Sequence, residues 1–219
     1  MKSGSNRRSS FWFLAAVLVI AFLVVQFLIL AHGVQTNAVL EIDTRLMKWA
    51  RSITHPGLTD IMLFITWLGD IEVLTAIAIT VIAILLLKRH WLESVYFCCT
   101  AALTPIFNSG LKNWLKRERP DVERIIEAAG FSFPSGHTMG AIVIYGMIGW
   151  LIGRQLASSP RRWAVGAAAV LLIALIGYSR IYLGVHYPSD IMAGLAAGAS
   201  LLIISQLLLR GIRGLLDKP

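Results

Sequence analysis

Six long apolar runs dictate what this chain can become. They cover Phe11 to Ala31, Ile71 to Leu87, Trp91 to about Leu111, Pro134 to about Ile152, Trp163 to about Leu183, and Pro188 to Leu209. A helix needs about 20 apolar residues to cross a bilayer. Within lipid it must also satisfy its own backbone polar groups, which a helix does internally. Only 15% of the 219 residues are charged, against roughly 25% in a soluble domain. The expected fold is therefore all-α and polytopic, with six transmembrane helices in one integral membrane domain over residues 1–219. The first run exceeds the ~7–15 residues of a signal-peptide core and is read as a retained span.

The segments between the runs are of several kinds. Leu58 to Leu68 is a shorter apolar run that breaks at Gly69-Asp70. From Gln35 to Pro56, apolar Val39, Ile42, Leu46, Trp49 and Ile53 recur at helical spacing among Glu41, Asp43, Arg45, Lys48 and Arg51. That pattern predicts an amphipathic helix in the interface plane, serving either as a cap on the bundle or as a platform for a lipid. Cys98 and Cys99 are adjacent within an apolar run, without metal-ligand spacing, and read as small core or lipid-facing residues.

The net charge of +8 suits an anionic substrate and membrane orientation better than nucleic acid, because most Lys and Arg lie between or beside the apolar runs. Six spans put both termini on one side. Eleven Lys and Arg fall there (Lys2, Arg7, Arg8, Lys88, Arg89, Arg154, Arg161, Arg162, Arg210, Arg213 and Lys218), against nine on the other. Three of the nine, Lys112, Arg119 and Arg180, have a chemical reason to be where they are. With those set aside, the positive-inside rule makes the termini cytoplasmic. Trp12, Trp91, Trp114, Trp150 and Trp163 stand near span ends as interfacial anchors.

Three stretches then share the outer side. The first is Lys112 to Pro120, where a continuous helix would align Lys112 with Arg119. The second is Phe133-Pro134-Ser135-Gly136-His137, suited to a helix N-terminus with free N–H groups for an anion. The third is Ser179 to Asp190, with Arg180, His186 and Asp190. Three cations, a helix N-terminus, two histidines and a carboxylate are equipment for phosphoryl transfer without a metal. Cations and N–H donors neutralise phosphoryl oxygens. One imidazole can attack phosphorus and the other can protonate the leaving oxygen. Asp190, four residues from His186, can hold its second ring nitrogen.

The bland alternatives are membrane-flanking cations, a structural His186–Asp190 pair, or half of a metal site. A metal would want further ligands, of which His137 is the one addition within reach, and the cations would repel it. His32, His55 and His90 lack such company and read as solvated loop or interface residues. Lys116, Arg117 and Arg124 read as a solvated face, the alternative being cations that attract anionic lipid.

These stretches resemble the type 2 phosphatidic acid phosphatase (PAP2) superfamily. Its signature is Lys-x6-Arg-Pro, then Pro-Ser-Gly-His, then Ser-Arg-x5-His-x3-Asp. Here stand Lys112–Arg119–Pro120, Pro134–Ser135–Gly136–His137, and Ser179–Arg180–His186–Asp190. The resemblance covers about residues 58–210 closely. It implies a membrane lipid phosphatase of the bacterial plasma membrane, needing no metal or cofactor. His186 would be the nucleophile that becomes phosphorylated, Asp190 its orienting residue, and His137 the general acid. Lys112, Arg119 and Arg180 would bind the phosphate, helped by Ser135 and the Gly136 backbone. The motif serves phosphatidylglycerol phosphate, phosphatidic acid and undecaprenyl pyrophosphate alike. Vanadium haloperoxidases share the motif but are soluble, which the apolar runs oppose. The rival from another class is a non-enzymatic lipid-phosphate binder or translocator, which would not need both His137 and His186.

Overall fold

A computed structural model describes residues 3–216, with side chains from 11 to 215. Lys2 and Lys218, used above to orient the chain, lie outside the described residues, as do the side chains of Arg7 and Arg8. Every regular element described is a helix: α1 (Ser3–Gln35), α2 (Leu40–Ser52), α3 (Pro56–Trp67), α4 (Ile71–Leu87), α5 (Trp91–Leu115), α6 (Gly136–Gly153), α7 (Ser159–Tyr182) and α8 (Pro188–Leu216).

Four helices, α1, α6, α7 and α8, are long and apolar enough to cross a membrane. The short helices α3 and α4 pass together as a fifth span, bent by 48° at the break foreseen at Gly69-Asp70. The six-span layout is therefore met only in part. At 25 residues α5 has the length but not the hydropathy, since Glu93, Asn108, Ser109, Lys112 and Asn113 interrupt it. Pro105 stands inside this continuous helix.

The central helix is α6, with Met139, Ala141, Val143 and Met147 fully buried. It packs against α7 and α8, while α1 lies on the outside of α8 and α4 pairs with α5. Contact between α6 and α8 is close because Gly194 and Gly198, one turn apart, face the α6 backbone. A methyl group at either position would come within 3.0 Å of the carbonyl oxygen of Ser135 or Met139. In lipid such approaches replace the hydrophobic drive that water supplies elsewhere. The outward faces stay apolar, and α1 is exposed along most of its length from Phe11, with Phe27, Ala31 and Val34 buried against the bundle, as suits a helix largely solvated by acyl chains. Cys98 and Cys99 are free and face outward.

The interfacial helix forms as α2, one turn in from each expected end. Its apolar stripe of Ile42, Leu46, Trp49 and Ile53 is exposed and turned away from the protein. The opposite stripe of Asp43, Met47 and Ala50, at i, i+4 and i+7, is the one buried against the bundle.

Candidate active site

One end of the bundle holds a cavity of about 530 Å³. Lys112, Arg119, Gly136, His137, Arg180 and His186 all line it. The three sequence stretches thus converge, although not in the way their spacing suggested. The helix carrying Lys112 ends at Leu115, and Lys116 takes a left-handed conformation. Arg119 is therefore on a loop, not on a second helical turn above Lys112. The loop is pinned by Arg119 itself, whose guanidinium donates to the carbonyls of Ala129 (2.8 Å), Gly130 (3.0 Å) and Val185 (2.8 Å). Lys112 Nζ donates to the Phe131 carbonyl at 2.9 Å.

The start of α6 is built by Ser135. Its hydroxyl, fully buried, accepts from the Thr138 N–H and from the Thr138 hydroxyl. Ser135 is thus the N-cap, and Pro134, joined to Phe133 by a cis peptide bond, precedes it instead of opening the helix. The hydroxyl serves the helix and does not line the cavity. The backbone N–H groups of Gly136 and His137 have no protein acceptor among the described residues. They belong to the unpaired donors that every helix start presents, and both residues line the cavity.

His186 sits in the short loop between α7 and α8, closed by Gly184 at φ +79°. Nδ1 lies 3.3 Å from Asp190 Oδ2, so the carboxylate fixes the tautomer with hydrogen on Nδ1 and a lone pair on Nε2. Nε2 is 3.3 Å from Arg119 Nη1. Burial pushes the imidazole down to about 3; Asp190 opposes this, and the Arg180 and Arg119 charges add to it. The ring is therefore neutral at pH 7, with its free nitrogen beside a cation. Arg180, in the last turn of α7, donates from Nη1 to Thr66 Oγ1 at 2.6 Å. Its buried Nε has no partner among the described residues, which leaves a donor for an anion.

Three functional features escaped the sequence reading. Arg117, read as part of a solvated face, has a side chain only 9% exposed. Its guanidinium donates to Asp190 Oδ1 (2.7 Å), Ser189 Oγ (2.7 Å) and Asp43 Oδ2 (2.7 Å). Asp43 of α2 also accepts from the Ser189 N–H at 2.9 Å. The interfacial helix is thereby wired to the carboxylate behind His186. Ser132 donates to Asp190 Oδ2 at 2.5 Å, and the Tyr187 N–H does so at 2.8 Å. Asp70, at the α3–α4 break, accepts from His137 Nε2 at 2.7 Å. The one sequence signal for Arg117 was its possible partner: Asp43 lies on the α2 face opposite the apolar stripe, where a carboxylate needs a cation.

A second cavity, of about 490 Å³, runs between α4 and α5. It is lined mainly by Leu74, Ala78, Ile79, Ala101 and Ile144, and shares Asp70, Gly136 and His137 with the first.

The geometry agrees with the comparisons to known proteins. The model of the PAP2 superfamily matches residues 93–211, which include all three motif stretches. Phosphatidylglycerophosphatase B of Bacillus subtilis (strain 168) is 33% identical over 179 residues, 81% of this chain and 88% of that protein. Lipid A 4'-phosphatase of Bacteroides thetaiotaomicron is 30% identical over 174 residues, 72% of each chain. The crystal structure of the transmembrane PAP2-type phosphatidylglycerolphosphate phosphatase from Bacillus subtilis superposes with a TM-score of 0.83. It shares 31% identity, over 88% of this chain and 96% of that one. A match over more than half the chain, with the same fold and the motif residues gathered on one cavity, means that this chain belongs to the PAP2 superfamily and is a membrane phosphatase of that type.

Proposed function

We propose that the chain removes a terminal phosphate from a lipid through a covalent intermediate on His186, without a metal. The observation that carries this reading is the environment of His186 Nε2. It is the lone pair of a buried neutral ring, beside Arg119 Nη1 and with the other ring nitrogen on Asp190. The cavity it faces holds Lys112, Arg119, Arg180 and the α6 N-terminus. Phosphate oxygens placed among those donors present phosphorus to Nε2. The lone pair attacks, the bond to the lipid oxygen breaks, and His137 protonates that oxygen. Water then attacks phosphohistidine with His137 as base, releasing inorganic phosphate. Ser135 contributes indirectly, by capping the helix whose Gly136 N–H faces the phosphate.

The apolar second cavity supports a lipid substrate, since it meets the phosphate cavity at His137 and runs beside the α4–α5 surface. An acyl chain lying there would bring its headgroup to the site from within the bilayer. Phosphatidylglycerol phosphate is the first substrate to test, supported by the Bacillus subtilis relative; undecaprenyl pyrophosphate and phosphatidic acid are its competitors. The proposed topology has six spans in a single domain of the plasma membrane, cytoplasmic termini and an outward-facing site, with α5 as the sixth span, its Glu93 and Asn108 buried against the bundle.

The test is a panel of the three lipids at matched detergent ratios, with EDTA present. Rapid quenching with a phosphorus-labelled substrate should trap an acid-labile, base-stable label on the wild type and none on His186→Ala. Label retained on that variant, or turnover lost to EDTA and restored by a divalent metal, overturns the mechanism. Binding without phosphate release by the wild type would favour the translocator.

A further inference from the structure

The break between α3 and α4 is held against α6 at two points. Tyr145 of α6 donates to the Leu68 carbonyl at 2.8 Å, and His137 Nε2 donates to Asp70 Oδ1 at 2.7 Å. Gly69, between them, passes so near that an added methyl group would lie 3.2 Å from His137 Cδ2 and 2.7 Å from Ile176 Cγ2. The bend thus brings one carboxylate to the edge of the imidazole. Asp70 is also the N-cap of α4, yet its side chain makes no capping bond. An Asp at that position is commonly worth about 1 kcal/mol to its own helix. Here that use is forgone, and the carboxylate turns to His137 instead. It lines both the phosphate cavity and the apolar one, so it stands where the lipid oxygen must leave.

We propose that Asp70 is the positioning residue for His137, holding the ring by Nε2 so that Nδ1 serves the leaving oxygen. The inference rests on the reading of His137 as the acid. Nδ1 has no protein partner among the described residues. In the first step His186 Nε2 bonds to phosphorus and the bond from phosphorus to the lipid oxygen breaks. The electron pair left on that oxygen takes the Nδ1 proton of imidazolium His137. The ring ends neutral, with its Nε2–H still on Asp70. In the second step a water oxygen bonds to phosphorus, its proton passes to Nδ1, and the bond to His186 breaks. Asp70 stays ionised throughout, as the carboxylate of a Ser-His-Asp triad does.

An orienting carboxylate acts only where its imidazole is needed, and that separates it from a structural residue. Because His137 serves the water in the second step for every substrate, the first step is compared alone, as the rapid-quench rate of His186 phosphorylation by a lipid phosphomonoester, whose alkoxide must be protonated, and by p-nitrophenyl phosphate, whose phenolate leaves unaided. General acid catalysis contributes about 10²–10⁴-fold. Asp70→Asn is expected to lower the rate of His186 phosphorylation by the lipid phosphate by about 10²-fold, with substrate affinity little changed and phosphorylation by the nitrophenyl ester scarcely affected. Asp70→Glu, which keeps the charge, should recover part of the loss. His137→Gln calibrates the reading, because it should show the same selectivity more strongly. Adding Asp70→Asn to it should cost nothing further. If His137→Gln is selective but Asp70→Asn slows both substrates equally, slows neither, or multiplies the His137→Gln loss, the Asp70 inference fails alone. If His137→Gln slows both equally, the acid assignment itself fails and takes the inference with it.

Discussion

Two imidazole–carboxylate pairs face one cavity, and they are built differently. In the His186–Asp190 pair the partners are four residues apart, and their side chains are 2% and 0% exposed. Asp190 accepts from Ser132, Tyr187 and Arg117 besides the imidazole. In the His137–Asp70 pair the partners are 67 residues apart and 23% and 36% exposed, and no other hydrogen bond to Asp70 Oδ1 is found among the described residues. The difference fits the role proposed for each pair. A nucleophile must hold one lone pair on one line, so its support is buried and over-determined. An acid must meet leaving groups and then water, so its support is open on one side. One site therefore combines a rigid half with an accessible half.

The largest test of the contrast is to delete each imidazole. His186→Ala should lower phosphate release by at least about 10⁴-fold on every substrate, because no covalent step survives without the nucleophile. His137→Gln should slow the phosphorylation of His186 by about 10²–10⁴-fold, and only where the leaving group needs a proton. Equal, substrate-independent losses would erase the distinction between the halves. Burial also ties His186 to stability. Its folded-state value near 3 lies below the ~6.5 of an unfolded chain, so the unfolded state binds more protons in between. Wild-type stability should therefore fall as pH drops from about 6.5 towards 3. Thermal unfolding in detergent should show a shallower fall for His186→Gln.

The second test concerns what keeps the rigid half rigid. Arg117 neutralises two buried carboxylates, Asp43 of α2 and Asp190. Arg117→Leu leaves both uncompensated, a situation that costs about 3–5 kcal/mol. A lowered Tm is expected, with the interfacial helix α2 more open to proteolysis. Asp43→Asn in the same chain should return part of the loss by removing one stranded charge. A Tm unchanged by Arg117→Leu would mean that α2 docks without the ion pair.

The same contrast explains what could be read from the chain. The rigid half was legible because its members lie within one short stretch. His186 and Asp190 are a helical turn apart, and Arg180 closes the helix before them. The apolar runs were legible because bilayer thickness sets their length. Other features depend on contacts between distant parts of the chain. Asp70 meets His137 across 67 residues and Arg117 meets Asp43 across 74, and no local period announces either pair. Arg117 is one cation in a run of four, and Lys116's left-handed turn, which aims it inward, leaves no mark in residue type. The turn also breaks the helix that was to align Lys112 with Arg119. In α5, polar residues, Glu93 and Asn108 buried among them, lower the hydropathy of a helix that otherwise has spanning length.

The smallest and sharpest test adds one methyl group beside each pair. At Gly184 a Cβ would meet the Arg51 guanidinium, and φ is +79°, where L side chains are strained. Gly184→Ala should therefore cost about 1–2 kcal/mol of stability and act on the loop that carries His186, so any loss of turnover should be the same for both leaving groups. At Gly69 the backbone tolerates a side chain but the space does not, with Ile176 Cγ2 at 2.7 Å, His137 Cδ2 at 3.2 Å and the Thr66 carbonyl at 3.3 Å from the added atom. Overpacking of that kind costs about 1–3 kcal/mol, and relief comes by moving the bend, with Asp70 on it, away from His137. Gly69→Ala should then slow the lipid phosphate more than p-nitrophenyl phosphate, as a weakened form of Asp70→Asn. Matching substrate profiles for the two alanine variants would mean that both loops shape the cavity as a whole, and that the acid half has no separate support.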